Sequence, residues 1–498
     1  MALPPFDNLT TGGYNRDVLR PARGSHAGHL PEGHPYPVRD AEAFQEHIRT
    51  DGALRAFLTE NAAGDGVLTR APGRLDVMGG VADYSGALVA EATIAEAALV
   101  ALQPRADDTL RLWSRNAAAE GMTEHVTVPL ASLAEALKED AQDGYEAAQA
   151  MLTADPPARW AAYLAGCWCV LRAEGVVPEM PRGANVVLDS RVPLGAGVSS
   201  SAAIEVATML ALTAALGLDI DGVTLARLAQ TVENRVVGAP CGIMDQMTSA
   251  LGLENSLLRI LCRPHEVQGT QTWPAGARFF GINSHVKHSV GGGAYARARV
   301  AAFMGRRLLG VEYLASVTPA QFYNEHAHGV PETETGKDFL ARYGETGDPV
   351  TRVDPDIVYP VRAATEHAIN EHYRVGVFLG ALAKGTNTHE IVDEIAVAGE
   401  MMYDSHGSYN RIGLGSDETD LLVRLAQRAG PEAGIYGAKI TGGGSGGTVA
   451  LLTYGDGGAQ AVAAIAAQYE AQTGRIPQTF EAGLSPGALA FGVQPLIL

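Results

Sequence analysis

Basic residues are few in this chain. It has 37 lysines and arginines against 56 aspartates and glutamates among 498 residues, which gives a formal net charge of −19 at pH 7. This balance argues against nucleic acids and anionic membranes as partners, because both are bound through basic patches. It also repels a nucleotide at long range, so a nucleotide site here has to be made from local hydrogen-bond donors and a metal ion.

Cysteines and long apolar runs are also scarce. The four cysteines are too few and too irregularly spaced for a disulfide framework or a zinc site, which favours buried thiols in a reducing compartment. The first residues do not combine a basic segment with an apolar one, so no secretory signal is predicted. No stretch of about 18 consecutive apolar residues occurs, so no membrane span is predicted. We therefore expect a cytoplasmic protein.

Changes in amino-acid composition and hydrophobic periodicity divide the chain into regions. A chain of this length is typical of about two to three domains. We predict an N-terminal extension at residues 1–66, a first domain at 67–270 and a second domain at 271–498. The extension begins without periodicity and includes a helix at about 41–61. In the second domain we predict a polar, irregular insertion at about 325–355, helices at about 360–383 and 388–403, and a glycine-rich loop within 405–420.

The stretch VPLGAGVSSSAAIEVA, residues 192–207, combines a glycine-rich turn with the start of a helix. Glycines at 195 and 197 let the backbone approach a ligand closely, and serines at 199–201 begin an alanine-rich helical pattern. Amide N–H groups at a helix N-terminus form an anion site, so the stretch predicts a phosphate cradle. It is not of the Walker type, because no Gly-Lys-Ser/Thr closes it. An ordinary serine-capped turn fits this stretch equally well.

A polar cluster surrounds the Gly-Gly bend at residues 79–80. Arg74 and Asp76 precede the bend on a predicted strand, and Asp83 follows it in a turn. An arginine and two acids beside such a bend fit a pocket for a polar substrate, but they also fit a salt-bridged hairpin.

Two further places carry candidate functional residues. Asp245 stands alone among uncharged residues in CGIMDQMTSALG, so it is either a buried structural acid or an acid held for chemistry. The stretch AKITGGGSGGTVALL contains Gly443 and Gly444 in a turn after a strand, where backbone can again approach a ligand closely.

Taken together, these stretches resemble a known family. GRLDVMGGVADYSG, PLGAGVSSSAAIEVA and KITGGGSGGTVALL, in that order, are similar to the three motifs of the GHMP small-molecule kinases. APCGIMDQM and SHVKHSVGGGAYARAR resemble the galactokinase branch. The resemblance implies an α+β fold of two domains, a ribosomal protein S5 domain 2-like N-terminal domain and a ferredoxin-like C-terminal domain, with the active site in the cleft between them. It also implies phosphorylation of a sugar at its anomeric hydroxyl by ATP with Mg²⁺.

The resemblance also assigns roles to residues. Asp245 falls where galactokinases have the carboxylate that takes or polarises the proton of the sugar hydroxyl, and Arg74 falls on the arginine that orients this carboxylate. Whether Asp245 is a true base stays open. Ser201 and Glu233 fall on the magnesium-associated residues. The remaining implied contacts are the phosphate-binding residues Gly195, Gly197, Ser199, Ser200, Ser201, Gly443 and Gly444, and the substrate-binding residues Asp76, Gly80, Val81, Asp83 and Tyr295.

One departure from the galactokinase pattern bears on the sugar. Galactokinases typically have GEHTDY where this chain has GGVADY at residues 79–84, so Gly80 and Val81 replace two polar sugar contacts. A site without the partner for a hydroxyl loses its preference for that hydroxyl. L-Arabinopyranose has the ring stereochemistry of D-galactopyranose without the 6-hydroxymethyl group, and APGRLDVMGGVADYSG resembles plant L-arabinokinases more than galactokinases. We therefore predict an ATP-dependent L-arabinose 1-kinase.

Several alternatives stay open. The sugar could be galactose or another sugar such as a uronic acid. The chain could also be a non-catalytic sugar sensor on the same fold, although the intact phosphate loop and acid–arginine pair favour an enzyme. The expected partners are ATP and a monosaccharide, and the sequence leaves a monomer and a dimer equally open.

Overall fold

The computed structural model describes residues 39–137, 141–286, 293–386 and 391–498. Parts of two predicted features, the N-terminal extension and the SHVKHSVGGGAYARAR motif, lie outside the described residues. The strands are β1 (Val67–Met78), β2 (Leu88–Pro104), β3 (Thr109–Ser114), β4 (His125–Pro129), β5 (Ala184–Ser190), β6 (Ser256–Leu261), β7 (Glu266–Thr272), β8 (Ala277–Asn283), β9 (Glu334–Thr335), β10 (Val358–Tyr359), β11 (Ile435–Ile440), β12 (Thr448–Tyr454), β13 (Gln478–Glu481) and β14 (Gln494–Pro495).

Helices account for most of the remaining described residues. A π-helical turn lies at Val232–Val237. The helices are α1 (Arg39–Thr50), α2 (Gly52–Thr59), α3 (Leu130–Ala136), α4 (Ala141–Thr153), α5 (Ala161–Ala173), α6 (Ser200–Ala215), α7 (Gly222–Thr231), α8 (Met244–Leu251), α9 (Gly293–Leu309), α10 (Pro319–Gln321), α11 (Gly336–Tyr343), α12 (Val361–Gly385), α13 (Ile391–Arg411), α14 (Asp417–Ala429), α15 (Gly458–Thr473) and α16 (Ala488–Phe491).

The larger sheet is built around strand β2. Its main path runs β14-β1-β2-β5-β3-β4, and β6 and β7 extend it from the second edge of β2. Strand β2 is 17 residues long, so β6 pairs with its first part and β5 with its last part. Strands β3 and β5 run parallel, which makes the sheet mixed. Helix α6 packs on β1 and β2, and its small residues let it lie close to them.

The smaller sheet has four antiparallel strands in the order β11-β12-β8-β13. In chain order the unit runs β8, helices, β11, β12, α15 and β13, which is the split βαβ arrangement of ferredoxin-like domains. Its core is formed by apolar residues of these strands together with α14 and α15. Two sheet-based units with their own helices confirm the predicted α+β class.

The chain passes from one sheet to the other between β7 and β8. It returns at its end, where β14 pairs with the start of β1. The predicted domain limits at residues 66 and 270 stay a prediction, and the returning strand belongs to the larger sheet although it follows residue 271. Helices α1 and α2 of residues 39–66 pack on Leu68, Leu99 and Val187 of that sheet.

Three predicted elements differ from the structure. The single helix expected at 41–61 is divided, because Asp51 has extended backbone angles and its side chain accepts from the N–H groups of Ala53 and Leu54 to start α2. Helix α13 continues to Arg411, beyond its predicted end at about 403, and the glycine-rich loop predicted within 405–420 lies at 412–416. The insertion at 325–355 is not irregular throughout, since it contains β9 and α11 with a fully buried Phe339. Among the described residues, no helix is both long and apolar enough to span a membrane.

Candidate active site

A cavity lies where turns from the two sheets meet. Most of the predicted site residues line it, but Asp76, Gly80 and Gly444 do not. The lining residues are Arg74, Val81, Asp83, Gly195, Gly197, Ser199, Ser200, Ser201, Glu233, Pro240, Cys241, Gly242, Met244, Asp245, Tyr295, Gly442 and Gly443.

One end of the cavity is formed by the loop before α6. Gly195 and Gly197 have φ values of 71° and 74°, the left-handed region that glycine adopts without strain. Ser199 has a φ of 60°, unusual for a residue with a side chain, and it is the N-cap of the 16-residue helix α6. The first N–H groups of a helix have no partner within it, and the helix dipole adds positive potential there. This end of the cavity is therefore suited to phosphate groups.

An arginine–carboxylate pair lies next to this helix start. Arg74 donates from Nε and Nη2 to the two oxygens of Asp245, each at 2.9 Å, and from Nη1 to the carbonyl of Gly197 at 2.8 Å. The Ser199 hydroxyl also donates to Asp245. The Arg74 side chain is 3% exposed and that of Asp245 is 20% exposed, so the carboxylate is the member of the pair that a ligand reaches.

A second carboxylate faces Arg74 from strand β2. Glu91 is fully buried with Oε2 at 3.4 Å from Nε of Arg74. Burial, with the charge of Asp76, raises the pKa of Glu91 well above its ordinary value. Burial would lower the pKa of Arg74, but the charges of Asp245 and Glu91 outweigh it and raise that pKa. Arg74 is therefore a fixed cation in the wall of the cavity.

Glu233 and Ser201 are adjacent in the cavity wall. Burial raises the pKa of Glu233 to about 7, although hydrogen bonding by Ser201 acts against this. Gln246 donates to Glu233 at 2.7 Å and to the buried Glu205 at 3.1 Å. A carboxylate and a hydroxyl are oxygen donors of the type that Mg²⁺ prefers, and Mg²⁺ is commonly held by few protein ligands together with substrate phosphates. In the described part of the chain, no group of three or more acids, histidines or cysteines could hold a metal ion.

The opposite end of the cavity brings together residues distant in sequence. Asp83 accepts from the N–H of Tyr84 at 2.8 Å, and its carboxylate lies so close to the backbone of Gly242 that a side chain there would collide with it. Burial, followed by the charge of Asp245, raises the pKa of Asp83 to about 6. Tyr295 lines the same end with its ring edge-on to Tyr84, at a centroid distance of 6.2 Å.

Val81 forms an apolar wall at this end of the cavity. It is buried, packs in the cluster that contains Tyr295, and has a φ of 59°, which is strained for a β-branched residue. The carbonyl of the preceding Gly80 lies 3.0 Å from Nε2 of the buried His367 on α12. This contact from a distant helix fixes the bend in which Val81 is held.

Asp76 and Gly80 lie behind the cavity wall. Asp76 accepts from Lys439 at 3.0 Å, and both side chains are 0% exposed. Tyr409, on α13, directs its hydroxyl to the carbonyl of Gly442 at 2.8 Å and to Asp76 at 3.3 Å. A side chain at position 80 would collide with the Tyr409 hydroxyl and the Asp76 carboxylate. Asp76 therefore connects the two sheets, and Gly80 has no room for a side chain.

Lys439, Tyr409 and Glu91 were missed by the sequence analysis. Lys439 is the single charge of strand β11, and Glu91 is one of two acids within the largely apolar strand β2, a signal that could have identified them as buried partners. Tyr409 carried no such signal, because it is one polar residue among others in SHGSYNR. Gly444 packs against Leu414 and Tyr409 rather than at the cavity, whereas Gly443 lines it.

Comparisons with known proteins identify the family of the chain. The GHMP kinases N terminal domain matches residues 162–253, and the GHMP kinases C terminal domain matches residues 392–471. L-arabinokinase of Arabidopsis thaliana is 39% identical over 485 residues, which cover 85% of this chain and 46% of that protein. A galactokinase of Actinobacillus pleuropneumoniae is 30% identical over 440 residues, which cover 88% of this chain and 95% of that protein.

The fold has a close counterpart among solved structures. The crystal structure of Lactococcus lactis galactokinase complexed with galactose matches with a TM-score of 0.69 at 20% identity, covering 91% of this chain and 99% of that one. At this identity the match shows the fold alone, and it confirms the two-domain GHMP kinase architecture predicted from the motifs. With the sequence relatives, it follows that this chain belongs to the GHMP kinase family, in its sugar-kinase branch.

Proposed function

We propose that this protein transfers the γ-phosphoryl group of ATP to the anomeric hydroxyl of L-arabinose. The observation that carries the proposal is the Arg74–Asp245 pair, in which a buried cation fixes a partly exposed carboxylate beside the N-terminus of α6. Phosphoryl transfer depends mainly on positioning and on neutralising negative charge. A helix N-terminus and a fixed arginine supply both.

In this proposal the oxygen of the sugar hydroxyl attacks the γ-phosphorus, its proton passes to Asp245, the bond from phosphorus to the β-phosphate oxygen breaks, and ADP leaves. Asp245 accepts the hydrogen bond of the attacking hydroxyl and aligns its oxygen with the phosphorus. Arg74 holds the carboxylate in place through two hydrogen bonds, and its charge faces the negative charge of the transferred group. Asp83, at the other end, is available to accept a hydroxyl of the sugar ring.

A magnesium ion fits the oxygen donors of Ser201 and Glu233, which would hold it beside the phosphate loop. When bound, the ion neutralises charge on the ATP phosphates. Because burial raises the pKa of Glu233 to about 7, a neighbouring cation also favours the ionised form of this carboxyl group.

The preference for L-arabinose rests on Val81, which lines the cavity, and on Gly80, which lies behind its wall. Position 80 has no side chain and no space for one, and Val81 presents an apolar surface. A hydroxymethyl group at carbon 6 of a hexose finds no polar partner at these positions, whereas a pentose needs none. The similarity to the Arabidopsis L-arabinokinase supports the same choice, although the chain spans 46% of that protein's length.

The test is an ADP-release assay with Mg-ATP and L-arabinose, D-galactose, D-galacturonate, D-glucuronate and L-fucose. We expect kcat/KM for L-arabinose to exceed that for D-galactose by about tenfold or more, since the loss of one hydrogen-bond partner is worth roughly that factor. Equal values for the two sugars would overturn the specificity. Turnover of no sugar would overturn the kinase proposal and favour a sugar sensor.

A further inference from the structure

The segment 325–355 has no part in the proposed reaction, yet one of its side chains points into the protein. The side chain of Asp348 is 0% exposed. The residues that follow it in the chain hydrogen-bond to its carboxylate. The N–H groups of Val350 and Thr351 and the hydroxyl of Thr351 donate to its carboxylate, the hydroxyl at 2.6 Å. The turn therefore presents a carboxylate of fixed position to the interior.

The partner of this carboxylate is Arg299 on α9. Nε and Nη2 of Arg299 donate to the two oxygens of Asp348 at 2.7 and 2.9 Å. Such a two-pronged contact fixes the plane of the guanidinium group as well as its position. Although burial raises the pKa of Asp348, the hydrogen bonds and charge of Arg299 lower it below its ordinary value, so the pair is ionic.

The remaining side of Arg299 faces the sugar end of the cavity. Nη1 donates to the carbonyl of Cys241 at 3.1 Å, and Cys241 lines the cavity next to Gly242. The guanidinium carbon lies 5.0 Å from the centre of the Tyr84 ring, which in turn contacts Tyr295 edge-on. One arginine thus contacts the Tyr84 ring and the Cys241 carbonyl, which neighbour Asp83 and Gly242 in the chain.

We propose that Asp348 is a positioning residue for the sugar end of the cavity, acting through Arg299 on the Cys241 carbonyl and the Tyr84 ring. The segment 325–355 then has a role in substrate recognition, because Asp348 orients Arg299 and Arg299 holds the Cys241 carbonyl at the cavity. This inference rests on the proposed sugar-kinase function. The side-chain hydrogen bonds of Arg299 go to Asp348 and Cys241 and not to the phosphate loop at 195–201, so the KM for ATP should depend on Asp348 less than the KM for the sugar does.

The test is Asp348→Asn, which removes the charge and keeps the shape. We expect the dissociation constant for the preferred sugar, measured by calorimetry, and its KM to rise about tenfold, the effect expected for loss of a charged hydrogen bond. The KM for ATP and the kcat should change less than about twofold. Arg299→Lys keeps the charge but loses the planar fork, and we expect the same selective rise in sugar KM.

Glu334→Gln is the matched control, because Glu334 is a buried acid of the same segment that pairs with Arg342 within that segment. It should leave the sugar dissociation constant unchanged. If Asp348→Asn lowers the melting temperature but, like the control, leaves sugar binding unchanged, the residue only anchors the segment and the proposal is overturned. Should Asp348→Asn not fold, Thr351→Val removes one hydrogen bond to the Asp348 carboxylate and keeps its charge. An unchanged sugar KM in that variant would equally overturn the proposal.

The sugar titration of the wild type separates the two proposals. Failure of the wild type to bind any sugar of the panel would overturn the proposed function and this inference with it. Wild-type binding with unaltered binding in the variants would overturn only the role of Asp348.

Discussion

At the phosphate end of the cavity, most of the ligand-facing groups come from one short stretch, residues 195–201, which leads into the N-terminus of α6. At the sugar end they come from separate segments that carry Val81, Asp83, Cys241 and Tyr295. The first end is a local structure that two glycines and a helix start produce. The second exists only because α9, α12 and α13 bring their side chains against the Gly79–Val81 bend. Changes at the phosphate end should therefore act on chemistry, and changes at distant residues should act on sugar recognition.

Asp245 joins the two ends, and its loss should have the largest effect. Asp245→Asn keeps the shape but weakens the acceptor for the sugar hydroxyl and removes the counter-charge of Arg74. We expect kcat to fall by about 10²- to 10⁴-fold, with sugar binding measured by calorimetry changed far less. A near-normal kcat of the variant would show that Asp245 has no role in the phosphoryl transfer.

Gly80→Ala probes the space behind the sugar wall. The added methyl group collides with the Tyr409 hydroxyl and the Asp76 carboxylate, so we expect a loss of about 1–3 kcal/mol in the free energy of unfolding and a lower kcat/KM for the sugar. Tyr409→Phe removes one of these obstacles and should recover part of that loss in the double variant.

Gly376→Ala is the control for Gly80→Ala. Gly376 lies on an exposed face of α12 with nothing near its Cβ position, so alanine there should be neutral or slightly stabilising. If Gly80→Ala behaves like this control in thermal unfolding and in sugar kinetics, position 80 is not confined as the structure indicates.

Asp83 provides a prediction for pH. Burial and the charge of Asp245 raise its pKa to about 6, so sugar kcat/KM should fall as the pH decreases through this value and Asp83 takes up a proton. In Asp83→Asn, kcat/KM for the sugar should be lower than in the wild type and should no longer fall as the pH decreases through about 6. If kcat/KM of the variant falls at acid pH as in the wild type, another group is responsible for that fall.

The same shift has the opposite consequence for stability. Because the folded pKa of Asp83 lies above that of the unfolded chain, ionisation of Asp83 destabilises the fold as the pH rises from about 4 to about 6. Asp83→Asn should therefore increase the free energy of unfolding by up to about 3 kcal/mol at pH 8 and have little effect at pH 4. Denaturant titrations at the two pH values measure this difference.

Ser199 gives the smallest expected effect and tests the phosphate end. Its hydroxyl donates to Asp245, and its backbone has a φ of 60°. Ser199→Gly and Ser199→Ala both remove the hydroxyl and should lower kcat by about threefold to tenfold. Only alanine is strained in this conformation, so it should also lower the free energy of unfolding by about 1 kcal/mol relative to glycine. Equal stability of the two variants would contradict the left-handed backbone at this position.

The sequence predicted the phosphate end more completely than the sugar end. Gly195, Gly197 and the serines at 199–201 were assigned together because their chemistry is contained in one short stretch, and all of them line the cavity. Asp76 and Gly80 were assigned to the substrate, yet they lie behind the wall. The reason is that Tyr409 and Lys439 approach them from α13 and β11, and the spacing of residues near 76 does not record that approach.

By itself the sequence determined the α+β class, the family and the residue types of the phosphate end, since glycine conformations and helix starts depend on neighbours in the chain. Only the tertiary structure decided which acids face the ligand and which are buried partners. It placed Asp245 at the cavity and Asp76 against Lys439, although both are single acids in apolar surroundings. Burial and pairing of a charge depend on what packs against it from elsewhere in the chain, and that is fixed by the contact of the two sheets.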